Sequence, residues 1–251
     1  MHAGWNRILH DTGDRVATMA VAGLAAAFAL SPAIVVAPPV AALPYVLPSA
    51  LAETAYALCL AAAYRRGAMS LAYPIGRGTA PLLVTLGGWL VLGEHPTPHT
   101  IIAALALVAG LALVATAGQH KAQRAAVGFA LLTGVCIASY SLIDARAVRQ
   151  VSPVAYLGLV MGVQGLLLLL VLRGDRIRLQ RAWGPGLLVA VGTTAAYLLV
   201  LFAFQRAPAG RVSTLREVSV LIGVLIAREK SGGRVWLGAA LVVAGAIMAA
   251  V

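Results

Sequence analysis

The chain has 251 residues, of which 61% are hydrophobic and only 11% charged, with a mean hydropathy of +0.92. Soluble domains run nearer 45–50% apolar and about 25% charged, so this composition excludes a soluble enzyme or DNA-binding domain and makes lipid the solvent. The net charge of +11, from 19 Lys and Arg against 8 Asp and Glu, is scattered between apolar runs; it forms no basic face for nucleic acid and is better read as loop charge that orients helices.

In chain order, the amino end MHAGWNRILHDTGDR lacks the basic stretch and apolar core of a signal peptide, and residues 1–10 are predicted as the second half of a helix. Spans follow at about residues 16–36, 44–64, 68–92, 98–117, 125–144, 154–172, 184–205, 209–227 and 234–251, each close to the ~20 apolar residues that cross a bilayer. The links between them are short and carry turn residues or charge, as at Ala37-Pro38-Pro39, Arg65-Arg66-Gly67, Glu94-His95-Pro96 and Ser231-Gly232-Gly233. The predicted fold is therefore an all-α integral membrane protein. Cys59 and Cys136 lie inside apolar runs, where a thiol behaves as a small hydrophobe, and neither a disulfide framework, a metal site nor a cofactor is indicated.

The chain also repeats itself. An offset of 135 lays Ala3-Gly4-Trp5-Asn6 on Ala138-Ser139-Tyr140-Ser141, Glu94 on Glu229, Ala103 on Gly238 and Gly110 on Gly245. An offset near 140 lays Ala63-Tyr64-Arg65-Arg66 on Ala203-Phe204-Gln205-Arg206. Between Arg216 and Glu229 the second half lacks four residues relative to Arg77–Glu94, about one helical turn. The expected organisation is a helix bundle of two inverted five-helix repeats, residues 1–120 and 121–251, making ten spans with the first truncated. Lys and Arg concentrate in alternate loops, which the positive-inside rule makes cytoplasmic and which puts the carboxyl end outside.

Ionisable groups at membrane depth cost roughly 2.5–3.5 kcal/mol each on insertion scales and are functional candidates by default. Glu53 lies about nine residues into its span, ~14 Å deep at ~1.5 Å per residue, and Arg77 lies at similar depth in the next. Arg216 and Glu217 fall at nearly the repeat-equivalent place to Arg77. The structural reading pairs Arg77 with Glu53 and Arg216 with Glu217. The functional reading has a guanidinium clamp a substrate carboxylate or phosphate through its planar fork, with Glu53 as the proton-coupling group. Asp144, next to Arg146, reads as a solvated helix end. Glu94 and Glu229 read as partners for loop cations or backbone N–H groups. Glu94, His95 and His99 cluster, but Pro96 and Pro98 break the helix that would align them on a metal.

The pieces HAGWN, AYRRGAMSLAYPIGRGTAP, LGE, ASYSLIDARAV and LREVS, in this order and spacing, resemble the EamA-type branch of the drug/metabolite transporter superfamily along essentially the whole chain. The resemblance implies ten helices in two inverted repeats, movement of small metabolites, and no nucleotide hydrolysis. Family members carry about ten more apolar residues before the HAGWN-like piece, so the chain looks truncated at its amino end. The superfamily is also expected to keep both termini cytoplasmic, against the loop-charge count, and orientation stays open. Trp5, Asn6, Tyr56, Tyr73, Tyr140 and Tyr197 belong to the matched pieces; Trp5 with Tyr140, and Tyr56 with Tyr197, are repeat mates. They are candidates to line a pocket, and equally to pack helices or sit in an interfacial belt. The expected protein is a secondary transporter of a small zwitterionic or anionic, amino-acid-like metabolite in a cell inner membrane. Its partners are the small-molecule substrate and the bilayer, with a homodimer open and nucleic acid excluded. The alternative is a non-transporting membrane subunit or a component that moves a lipid-linked sugar.

Overall fold

The computed structural model describes residues 12–66, 69–117 and 124–217 and, close to the carboxyl end, seven more between 237 and 248. The described elements are α1 (Arg15–Val36), a short 3-10 turn (Val40–Ala42), α2 (Leu43–Arg66), α3 (Met69–Leu92), α4 (Pro98–Ala117), α5 (Arg124–Ala147), α6 (Pro153–Val171), α7 (Arg176–Phe204) and α8 (Ala209–Arg216). Among the described residues, six helices are long and apolar enough to cross a membrane, and a shorter apolar helix runs over Pro98–Gly110. The predicted stub at 1–10 and everything from 218 to 236 lie outside the described residues.

Capping chemistry sets the helix ends. Asp14 caps α1 by accepting from the Ala17 N–H at 3.0 Å, and Pro38-Pro39 follow its last turn. Pro153 opens α6 at a position where its missing N–H costs nothing. α6 closes with Arg173 and Gly174 in the left-handed region at φ 54° and 66°. Their N–H groups return to the carbonyls of Leu170 and Leu169 at 3.0 and 3.1 Å. Asp175 then starts α7 at once, accepting from the N–H groups of Ile177 and Arg178. This corrects the predicted start at 184: the basic stretch Arg176–Arg181 is helical, because its cap and not its charge decides where the helix begins.

The chain forms two compact units, each drawing on both sequence halves. One consists of Met1–Leu58 with Ile143–Arg206, the other of Cys59–Leu142 with Ala207–Val251. The division passes through α2 and α5. In the first unit α1 packs against α6 and α7, and the contact is glycine-lined. A Cβ on Gly158 would lie 3.0 Å from side-chain atoms of Leu30 and Ile34, one on Gly162 3.2 Å from Ala27 Cβ, and one on Gly165 2.9 Å from the Leu24 backbone. Rising numbers on α6 meet falling numbers on α1, so the pair is antiparallel and closely approached. In the second unit α3 packs against α4 and α8, and it crosses α5 where a Cβ on Gly76 would lie 3.1 Å from the Ala130 carbonyl. Gly245, the repeat mate of Gly110, lies so close to α4 that a Cβ there would be 2.7 Å from the Ala103 carbonyl.

Candidate functional site

The second unit holds a buried charge cluster built by α3 and α8. The Gly76 crossing fixes α3 one residue before Arg77, and α8 is seated on α3 where Gly210 meets Thr85. The amino end of α8 is held by Glu94, whose two carboxylate oxygens accept from the Ala209 N–H at 3.1 and 2.9 Å. Glu94 reaches that position because Gly93, at φ 68°, turns the chain after α3 and gives the Glu94 N–H to the Gly88 carbonyl at 3.0 Å. The expectation that Glu94 serves a backbone N–H is met.

With α8 so placed, Glu217 bridges two guanidinium groups. Its Oε2 accepts from Arg77 Nε at 2.9 Å and its Oε1 from Arg216 Nε at 3.3 Å, and Glu217 itself is fully buried. Arg77 and Arg216 are almost as deeply buried. Arg216 keeps its expected partner. Arg77 does not: its carboxylate is Glu217, 140 positions away, in place of the Glu53 expected from sequence. Ser213, one turn before Arg216, is fully buried and its hydroxyl has no hydrogen-bond partner among the described residues.

Glu53 lies in the first unit, in a second buried polar cluster whose centre is Asp144. Asp144 was expected at a solvated helix end, but α5 continues to Ala147 and its carboxylate is fully buried. Oδ1 accepts from Ser49 at 2.5 Å and from Tyr156 at 2.7 Å, and Oδ2 accepts from Tyr197. Four elements thus converge on one carboxylate, Ser49 from α2, Asp144 from α5, Tyr156 from α6 and Tyr197 from α7. Glu53, one turn after Ser49, is 4% exposed. Its Oε2 has no hydrogen-bond partner among the described residues, and Ser49, one turn before it, bonds the Asp144 carboxylate.

The profile of the EamA-like transporter family matches residues 6–116 and again 124–251. The chain belongs to the EamA-like transporter family. It is a multi-pass membrane transporter made of two inverted repeats. A crystal structure described only as that of a protein is similar to it with a TM-score of 0.73 at 16% identity, covering 100% of this chain and 97% of that one. At that identity the likeness speaks for the fold alone. No curated protein matches the chain.

Of the residues singled out from sequence, this EamA-like chain brings Arg77, Arg216 and Glu217 together in one unit, and Glu53 and Tyr197 in the other. Tyr56 and Tyr140 are buried, in the first and second unit respectively. Trp5, Asn6 and the Tyr73 side chain lie outside the described residues. Sequence reasoning missed Asp144, Ser49, Tyr156 and Ser213. The signal for Asp144 was its spacing: it follows Tyr140 by one turn in ASYSLIDARAV, and the apolar Ala145, Ala147 and Val148 beyond it are buried as well.

Proposed function

We propose that this transporter carries a small zwitterionic or anionic metabolite, amino-acid-like in charge, by alternating access. The Arg77–Glu217–Arg216 cluster supports this reading, because it gathers two buried guanidinium groups around one buried carboxylate. Buried charge is tolerated when it is paired, and a guanidinium presents five N–H donors in a fork suited to a carboxylate. A substrate carboxylate would take a place on Arg216, and the ammonium of a zwitterion would be drawn to Glu217. The Ser213 hydroxyl adds, on the same helix, a buried polar group without a partner among the described residues. Glu53 is the proton-coupling group in this reading. The halves 1–120 and 121–251, ten spans in a cell inner membrane, would rock so that the charge cluster is reached from alternate sides; a homodimer is the assembly to test by crosslinking in the bilayer.

The test is solute counterflow in proteoliposomes with L-alanine, L-glutamate and succinate as probes. Wild-type protein is expected to exchange at least one of them, and Arg216→Leu to abolish that exchange while still running as a folded peak on size exclusion. Unaltered exchange in both Arg216→Leu and Arg77→Leu would sink the reading.

A further inference from the structure

Glu53 and Asp144 are two carboxylates in one buried cluster, and their environments differ. Asp144 accepts from three hydroxyl groups that spread over both of its oxygens, an arrangement that suits an anion, since an O–H donor bonds a carboxylate more strongly than a neutral acceptor. Glu53 Oε2 is buried with no such donor among the described residues. Among the described residues, the titratable groups around Glu53 include Asp144 of α5, with Tyr156 of α6 and Tyr197 of α7 bonded to Asp144. Two ionised carboxylates in a site of low dielectric repel each other and lose their hydration. A single proton removes one of the charges and turns the orphan oxygen into an O–H group.

We propose that Glu53 and Asp144 together form the binding site for the coupling proton, with Glu53 taking it up and Asp144, held by Ser49, Tyr156 and Tyr197, serving as the fixed anion beside it. The site lies in a different compact unit from the Arg77–Glu217–Arg216 cluster, so ion and substrate chemistry are assigned to separate parts of the chain. In the binding step an O–H bond forms at Glu53 as a proton leaves bulk water. In the release step that bond breaks and the proton returns to water on the side to which the site is then open. This assignment rests on the transport reading.

The experiment separates the two. Infrared difference spectra of the full chain in lipid, taken between acidic and alkaline buffer with no solute present, should contain the carbonyl stretch of a protonated carboxylic acid. Glu53→Gln should remove that band. Asp144→Asn should shift its frequency or its pH dependence, and so should the gentler Tyr197→Phe, which deletes one donor to Asp144 and keeps the ring. Glu94→Gln, outside the cluster, should leave it in place. A band that survives Glu53→Gln, ignores both Asp144→Asn and Tyr197→Phe, or responds to replacement of Na+ by choline instead of to pH would overturn the proposal. If the band behaves as expected but counterflow with the three probes is silent, the protonation site stands and the proposed substrate class falls.

Discussion

Asp14 performs two tasks with one carboxylate: Oδ1 caps α1 through the Ala17 N–H, and Oδ2 accepts from Arg178 of α7. The hydrogen bond from Arg178 holds the Asp14 carboxyl below its ordinary value of 3.8, against the opposing effect of partial burial. Because the folded value is lowered, the stability this group contributes is fully present above its ordinary value and is lost as pH falls through the lower folded one. Asp14→Ala should therefore cost about 1 kcal/mol near neutrality, typical of a lost cap. The difference from wild type should shrink in strongly acidic buffer, which melting curves across the acid range would show. Glu217 is a harsher case, since Glu217→Gln leaves two buried guanidinium groups without their shared anion. Removing one partner of a buried pair costs about 3–5 kcal/mol, so the melting temperature in detergent should drop sharply. Arg77→Gln added to Glu217→Gln should recover part of the loss. At this scale the presence of charge at depth was legible in the sequence, because Arg77, Arg216, Glu217 and Glu53 each interrupt an apolar run. The pairing was not, because it depends on which helix faces bring together residues such as Arg77 and Glu217, 140 positions apart.

α8 shows how one helix is placed by contacts outside itself. Its eight residues carry little apolar surface, and it is seated by Glu94 at its amino end and by the Gly210–Thr85 contact along α3. Glu94→Ala should cost about 0.5–2 kcal/mol, the range for a lost cap, and should weaken counterflow by loosening Arg216 against Glu217. Glu94→Gln, which keeps one acceptor for the Ala209 N–H, should retain most of both. Hydrogen exchange at the Ala209 amide would report the loosening directly. Most element boundaries were legible, since apolar runs between Pro- and Gly-bearing links fix the helices from α1 to α6 to within a few residues. The α7 boundary was not, because four arginines in Arg173–Arg181 look like a loop until Asp175 is seen to cap them. The spacing Gly158-x-x-x-Gly162 carried little weight in a chain with 26 glycines, yet it marks the face on which α6 meets α1.

For the whole molecule, the large apolar side chains that remain exposed are those that lipid must cover, among them Leu170 and Val191 at 73% and 72% exposure. Val191 lies at the middle of α7, so Val191→Arg should cost about 2.5–3.5 kcal/mol of insertion free energy and reduce the amount of protein recovered in the membrane fraction. Val191→Leu should be neutral. The two-repeat organisation was legible because offsets of 135 to 140 align polar anchors. The two compact units were not, because each is assembled from segments of both repeats, and a self-alignment of the sequence reports ancestry and not packing.

That interleaving also sets a timetable for synthesis. When Arg77 enters the membrane, the carboxylate it will bridge to lies 140 residues downstream, and Ser49 waits 95 residues for Asp144. At ~5–20 residues per second, the half-made chain holds an arginine in or beside the bilayer without Glu217 for on the order of ten seconds. Neither unit can close until the second repeat is well under way. A nascent chain stalled near its midpoint would expose this arginine to the insertion machinery and to membrane proteases, so quality control could read the completeness of the polypeptide from a single buried ion pair.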